Sequence, residues 1–442
     1  MHERSAPGTL KSRLACRMMW WIYNLGLLLG MLVGLPILIP LVLTSRKWRP
    51  TFCRRLGWWR HANADRGPAI WVHALSVGEV TASEPLVQCL AKRYAGHRIV
   101  LTASTLTGFE TARRIYGGRE IELAYFPYDL IFSVRAVARK IDPKLVILVE
   151  TDIWPNFMAE IKRRKVPLWL ANFRLSDRAW RKYRAFRGLA RLLFGAFETI
   201  FLQNEDDATK LRGLGIGPQR LRVTGNLKFD VTERRTTREL EGHWRQKLKI
   251  ACRVPVIVAG STHEGDEAFL MEAFRSLRPA VEDLKLIIVP RDPHRSPSIV
   301  ALCREFAASC SQLSCLQADA WSGCPDVVVV DTIGLLKELY CLASVAFVGG
   351  SLSSQGGHNP LEPAARGKPI LFGPDMRDFQ RIAASLTQAQ AACQVSDPQQ
   401  LSSVLLRLLK EPGAAESMGN RALAVFQEGQ GAAARIVDHL EI

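Results

Sequence analysis

Residues 347–374 read FVGGSLSSQGGHNPLEPAARGKPILFGP. An apolar run ends in paired glycines, a polar loop leads through Asn359 and Glu362 into a predicted helix, and a second apolar run, Pro369 to Phe372, follows. Strand, loop, helix and strand in this succession is the unit from which a parallel α/β sheet is built. Glycines let backbone approach a phosphate closely and adopt φ > 0, and a helix start beyond them offers unpaired N–H groups to an anion. On that reading the loop is an anion cradle. It has neither a strict G-x-G-x-x-G nor a G-x-x-x-x-G-K-[ST], so it supports neither dinucleotide nor P-loop chemistry. Glycine-rich turns also follow strands in α/β proteins that bind nothing there, and the loop alone leaves both readings open.

Working outward, the same alternation fills the chain. Apolar runs predict strands over Ala69 to Leu75, Arg98 to Ala103, Lys144 to Val149, Pro167 to Ala171 and Thr199 to Gln203, with amphipathic stretches between them. A charged, poorly apolar stretch from Asp230 to Gly242 then reads as a linker. Beyond it the pattern restarts with Val254 to Ala259, Leu284 to Val289, Asp326 to Val330, Ser344 to Val348 and Pro369 to Phe372. These give residues 1–48 as an N-terminal anchor with basic flanks, 49–230 as a first doubly wound domain, 231–243 as a linker and 244–442 as a second. Ligands of such sheets sit at the carboxyl ends of the strands.

The 442 residues suffice for several cores, and 48% hydrophobic with 23% charged residues is the composition of a folded protein. A formal net charge of +17 suggests an acidic partner, which nucleic acid, anionic lipid or a phosphorylated substrate would each satisfy. Position narrows the choice. No charged residue occurs from Met18 to Ser45, and Trp20 to Leu43 is almost wholly apolar, long enough for the roughly 20 residues of a membrane span. It is longer than a signal-peptide core, which runs to about 15 residues, and favours a retained anchor. Pro36 and Pro40 would kink or end a helix and could leave it in one leaflet. The basic cluster Arg46, Lys47, Arg49, Arg54, Arg55 and Arg60 outweighs the one before the anchor and places the main body in the cytoplasm. The ten cysteines are scattered without a C-x-x-C pair, and Cys303, Cys310, Cys315 and Cys324 match no zinc framework, so they read as reduced thiols.

Candidate chemistry lies just after strands. Ser76-Val77-Gly78-Glu79 fits a capping box, but Gly78 is a poor first-turn residue, and Glu79 is also placed to act as a general base. Glu150-Thr151-Asp152 would cap the helix after Pro155, orient a substrate or, less in keeping with the absence of any D-x-D, hold a metal. Lys228 and, between two prolines, Arg291 are candidate anion ligands, and His263 and His294 candidate bases. Neither G-x-S-x-G nor H-E-x-x-H occurs, which removes support for hydrolase chemistry.

Taken in order, WVHALSVGEV at 71–80, VETDIWPN at 149–156, NFRLSDR at 172–178, TGNLKFD at 224–230, AGSTHEGDE at 259–267, VPRDPHR at 289–295 and GGHNPLEPAARGKPILFGP at 356–374 closely resemble the 3-deoxy-D-manno-octulosonic acid (Kdo) transferases of lipopolysaccharide synthesis. The resemblance spans nearly the whole chain. It implies a GT-B glycosyltransferase fold of two Rossmann-like domains with the active site between them, and inverting transfer of Kdo from CMP-Kdo to a lipid A precursor of lipid IVA type. It implies Glu79 as catalytic base, Glu150 and Lys228 as transition-state stabilisers, and CMP contacts from Pro290, Arg291, Ile333, Gly334, Leu335, Asn359, Pro360, Leu361 and Glu362. Leu335 stands where the family commonly has an acidic residue, and is expected to contribute backbone alone. No metal or cofactor is implied; CMP-Kdo is the donor substrate. The implied location is the cytoplasmic face of the bacterial inner membrane, with anionic lipid and not nucleic acid as the macromolecular partner. Basic residues from Arg174 to Arg187 would then meet headgroups or acceptor phosphates, unless they are simply the solvated face of a helix. The rival readings are another GT-B envelope enzyme using a UDP-sugar, or a basic membrane-surface protein without catalysis.

Overall fold

The computed structural model describes residues 10–45, 49–58, 67–150, 153–230, 236–306, 308–316 and 325–440. The chain divides into two units, one comprising Met1–Val231 with Gln430–Ile442 and the other Thr232–Gly429. In the first, β1 (Ala69–His73), β2 (Arg98–Ala103), β3 (Ile121–Tyr125), β4 (Pro143–Val149), β5 (Leu168–Phe173), β6 (Thr199–Leu202) and β7 (Leu221–Val223) form a parallel sheet in the order β3-β2-β1-β4-β5-β6-β7. The second sheet is also parallel. It contains β8 (Val256–Thr262), β9 (Lys285–Pro290), β10 (Cys310–Gln312), β11 (Val327–Val329), β12 (Val345–Val348), β13 (Ile370–Phe372) and β14 (Ala392–Gln394), ordered β10-β11-β9-β8-β12-β13-β14.

Helices on both faces explain why the inner strands read as unbroken apolar runs. Along β1, Ala69 and Trp71 enter one buried cluster while Ile70 and Val72 enter the other. Trp71 is fully buried, its ring 5.1 Å from that of Phe157 and its indole N–H donating to Thr102 Oγ1 at 2.9 Å. All ten strands predicted from the sequence are present, with ends shifted by a few residues. The four that were not predicted, β3, β7, β10 and β14, are the edges of the two sheets.

Two boundaries differ from the sequence reading. The stretch read as a linker reaches into a helix, Thr237–Leu248, started by a capping box between Thr236 and Glu239. It buries Leu240, Trp244 and Leu248 in the second unit's core. Residues 231–235 lie outside the described residues. The second unit also stops short of the chain end. The helix Ala432–Asp438 returns to the first unit and buries Ala432, Ala433, Ile436 and Val437 in the cluster that also holds Leu86 and Leu90. Asp230 fastens it, accepting the Gly431 and Ala433 N–H groups at 2.6 and 2.5 Å, where a carboxylate meets the positive end of the helix.

The N-terminal apolar segment is part of a helix, Leu10–Thr44, that contains Pro36 and Pro40. Among the described residues, no helix is long and apolar enough to cross a membrane. Two neighbouring residues are taken up by the protein itself. Tyr23 donates its hydroxyl proton to Asp129 at 2.9 Å, and Asn24 exchanges reciprocal amide bonds of 2.9 and 2.8 Å with Asn156. Between this polar docking point and Pro36 the apolar stretch is shorter than the roughly 20 residues a span needs. The opposite face, Met18, Trp21, Ile22, Leu25, Leu28, Leu29, Leu32 and Val33, is exposed.

Replacing Asp230 by Ala should lower the stability of the first unit by about 1–2 kcal/mol, the usual worth of a helix cap, while Asp230→Asn keeps most of it. A urea titration followed by fluorescence of the intact chain reads this directly; equal losses for Asn and Ala would show that the cap contributes nothing.

Candidate active site

In each sheet the strand order reverses once, beside β1 in the first and β8 in the second, and the polar clusters gather there. After β1 the chain turns through Ser76 into the helix Val77–Arg93, with Glu79 in its first turn. The Ser76 half of a capping box does not form. Instead, Glu79 Oε2 accepts the Leu75 N–H at 2.6 Å, which holds the half-buried carboxylate against the strand end. A Cβ at Gly78 would meet nothing within 4 Å, so glycine is not demanded by packing.

β4, paired with β1, ends at Glu150, whose φ of 66° is left-handed, and Asn172 near the end of β5 has a φ of 59°. Such backbone costs a non-glycine residue on the order of 1–2 kcal/mol and persists only where its surroundings enforce it. Here the enforcement is visible. The fully buried Asn172 accepts the Leu227 N–H on Oδ1 at 3.0 Å, accepts Gln203 Nε2 on its carbonyl at 2.9 Å, and donates to Glu150 Oε1 at 3.4 Å. Leu227 opens the short turn Leu227–Phe229, which brings Lys228 Nζ to 3.7 Å from Glu150 Oε1. Thus two of the residues singled out in the sequence, far apart along the chain, meet through a third that was not. Asn172 lay in a quoted motif, and only its backbone conformation and burial reveal its role. Thr151 and Asp152 lie outside the described residues.

In the second unit, β8 and β12 deliver His263 and Gly349-Gly350 to the same point. The buried Asp266 carboxylate organises it, accepting N–H groups from Gly350 at 2.6 Å and from His263 and Ser353 at 3.0 Å. Asp375 takes the Gly356 N–H at 2.9 Å, and the Gly357 N–H bonds to the Gly350 carbonyl at 3.1 Å. The expected backbone anion cradle is therefore occupied by the protein's own carboxylates and carbonyls at these positions. The paired glycines solve a packing problem. A Cβ on Gly349 would lie 2.6 Å from the Ser261 carbonyl oxygen, and one on Gly350 would lie 2.9 Å from the His358 ring. His358 and His263 meet edge to edge, with ring planes 2° apart and Nε2 atoms 2.8 Å apart.

Arg291 follows β9, its N–H bonded to the Thr262 carbonyl at 3.0 Å. The side chain is exposed and forms no salt bridge among the described residues. Arg295, four residues on, is spent on the buried Glu267 at 2.8 and 3.2 Å. His294 is exposed. Gly334 has a φ of 97°, which places exposed Ile333 at a turn and turns Leu335 onto the hydrophobic cluster around Tyr340. Asn359 Oδ1 accepts the Leu361 N–H at 3.2 Å, starting the short helix Leu361–Ala364 with Glu362 half-buried in it. Pro290, Pro360 and Leu361 are buried. Asp266 and His358 were both missed in the sequence; the spacing of Asp266 three residues after His263 was the available signal for the first.

A family model described as "3-Deoxy-D-manno-octulosonic-acid transferase (kdotransferase)" matches residues 51–231. The 3-deoxy-D-manno-octulosonic acid transferase of Haemophilus influenzae is 30% identical over 432 residues, covering 96% of this chain and 98% of the relative. That of Chlamydophila psittaci is 32% identical and covers 89% of each. Among solved structures, UDP-GlcNAc 2-epimerase from Neisseria meningitidis bound to UDP-GlcNAc superposes with a TM-score of 0.57 at 16% identity, covering 84% of this chain and 99% of that one, and so shares the fold. With two parallel seven-stranded sheets in a GT-B-like fold and relatives matched over nearly their full length, the chain belongs to the 3-deoxy-D-manno-octulosonic acid transferase family of glycosyltransferases.

Proposed function

We propose that the protein transfers Kdo from CMP-Kdo to a hydroxyl of a phosphorylated, acylated glucosamine disaccharide, the lipid A precursor, with inversion at the anomeric carbon. The observation that carries this reading is the half-buried carboxylate of Glu79, fixed at the end of β1 by the Leu75 N–H at 2.6 Å. In the proposed reaction Glu79 takes the proton of the attacking hydroxyl. The anomeric carbon–oxygen bond breaks, and its electron pair leaves with the CMP phosphate. Positive character at the anomeric carbon favours a nearby carboxylate, the role given to Glu150, with Lys228 setting that carboxylate's position. Negative charge grows on the leaving phosphate, and Arg291, an unpaired cation among the described residues, is worth most when that charge is largest. The turn at Ile333, Gly334 and Leu335 and the segment from Asn359 to Glu362 complete the nucleotide contacts, Leu335 through its backbone.

The membrane association proposed here is interfacial. The Leu10–Thr44 helix is apolar nearly all round, one face is turned to the protein and the other is exposed, which in water would be an aggregation hazard and in a leaflet is an anchor. Exposed Phe186, Leu189 and Leu192, beside Arg178, Arg181, Lys182 and Arg184, suit the same anionic surface. The location that follows is the cytoplasmic face of the inner membrane.

Glu79→Gln should reduce transfer by at least about 10²-fold while CMP binding is retained. The assay supplies purified enzyme with acceptor and either CMP-Kdo or UDP-sugars, and product only from UDP-sugars would overturn the donor assignment. Glu150→Gly removes both the carboxylate and the left-handed strain, so kcat should drop while the denaturation midpoint holds or rises. A midpoint lowered by 1 kcal/mol or more would show that Glu150 is chiefly structural. Replacing Leu25, Leu29 and Leu32 together by Gln should release the protein from anionic liposomes in a flotation assay, whereas unchanged flotation would dismiss the helix as the anchor.

A further inference from the structure

His263 and His358 come from loops 95 residues apart in sequence and meet through their Nε2 atoms at 2.8 Å. A hydrogen bond between two ring nitrogens needs one of them protonated and the other bare. With both rings neutral, His–His contact therefore leaves one outer Nδ1 carrying hydrogen and the other bare. A single added proton makes both outer nitrogens donors.

Several features of the surroundings make that proton conditional. His263 faces Asp266, Glu267, Arg295 and Arg291, while His358 faces His263 and Arg291. The two carboxylates are already committed, Asp266 to three backbone N–H groups and Glu267 to Arg295. Arg295 is neutralised by Glu267. Asp266 and Glu267 still draw a proton toward His263 while Arg295 and Arg291 oppose it, and Arg291 is the cation that opposes a proton on both rings. Burial acts first and in the same direction, lowering His263 and pushing His358 down to about 4. The empty pair is neutral at pH 7.

We propose that the His263–His358 pair is a proton-accepting clamp for the nucleotide phosphate: uncharged when the site is empty, it takes up a proton from solvent when the phosphate settles on Arg291, most fully with the monoester dianion that cleavage leaves. The proposal rests on the reading that the second unit binds the nucleotide of CMP-Kdo. The anion cancels the repulsion from Arg291 and adds attraction of its own, so the bound state holds more protons than the free one. The sign follows. Binding tightens as pH falls, because protons are a co-ligand of the complex. Cleavage strengthens the effect, since the phosphodiester carries one negative charge and the released monoester gains a second once the electron pair of the broken C–O bond rests on its oxygen. A cationic pair therefore favours the leaving state over the substrate, which is the condition for accelerating departure.

The test is calorimetric titration of the full-length protein with CMP at pH 7.5, where the phosphate, with a second pKa near 6, is mainly the dianion. Repeating it in buffers of different ionisation enthalpy gives the protons exchanged per CMP. Uptake of roughly half to one proton is expected, with Kd weakening several-fold from pH 7 to 8.5. In His358→Asn and His263→Asn the uptake should vanish and CMP bind roughly two- to tenfold more weakly at pH 7.5, the factor that follows when the bound pair titrates between about pH 7.5 and one unit above it. Normal CMP binding without proton uptake in the unmodified protein would overturn the clamp and leave the donor reading standing. No CMP binding at all would overturn the donor reading and the clamp with it. Because the unmodified protein supplies the deciding number, failure of either variant to fold does not blunt the test.

Discussion

The chemistry of this chain depends on a constraint of topology. Right-handed crossovers keep successive connections of a parallel sheet on one face until the strand order reverses; there, two neighbouring connections leave in opposite directions and their first residues stand at a gap that no chain crosses. The first sheet has its reversal between β1 and β4, the second between β8 and β12. Glu79 and Glu150 directly follow the first pair, and His263 and the paired glycines directly follow the second. Neither cluster needs a special fold to assemble it, because parallel strands already carry their ends to the same edge.

Such a gap still has to be held in shape, and the chain does this with aspartates, buried at Asp266 and Asp129 and half-buried at Asp230. Asp266 binds three N–H groups around the second gap, Asp129 takes the Asn156 and Phe157 N–H groups at 3.0 and 2.8 Å to start the helix Pro155–Arg163, and Asp230 secures the returning C-terminal helix. A short carboxylate saturated with backbone donors has its oxygens committed to them and is not available as a base or a ligand. The acids that remain half-exposed at the first gap are glutamates, whose longer side chains reach out from the strand ends. Acidic residues in the motif-bearing loops thus separate into aspartates that hold two or three backbone N–H groups, such as Asp266 and Asp230, and the half-buried glutamates Glu79 and Glu150.

That separation also explains what was legible in the sequence. The ten inner strands were legible because both faces are largely buried and most positions are apolar, whereas β3, β7, β10 and β14 have a neighbour on one side only and are short or mixed, such as Cys310-Ser311-Gln312. The Asp230–Gly242 stretch misled because Arg238, Glu239 and Glu241 lie toward the solvent side of a helix whose other side carries Leu240, Trp244 and Leu248 at helical spacing. Glu79, Glu150, Lys228 and Arg291 could be picked out because a charge after an apolar run is conspicuous. Asp266, Asn172 and His358 could not, since each acts on groups distant in sequence: Gly350, Leu227 and His263.

The paired glycines carry the wider point. A residue without Cβ admits close approach, but the sequence does not say whether the approaching group is a ligand or another part of the chain. At Gly349 it is the backbone of β8, and at Gly350 it is an imidazole. What decides the matter is where the freed N–H groups point, and those of Gly350, Ser353 and Gly356 point at Asp266 and Asp375. On the proposed reading of this unit, anion recognition then falls to side-chain cations such as Arg291 rather than to these N–H groups. A side-chain cation can be screened, neutralised or joined by a second charge in a way that a fixed N–H group cannot, which is why the proposed phosphate site would respond to protonation where a backbone cradle would not.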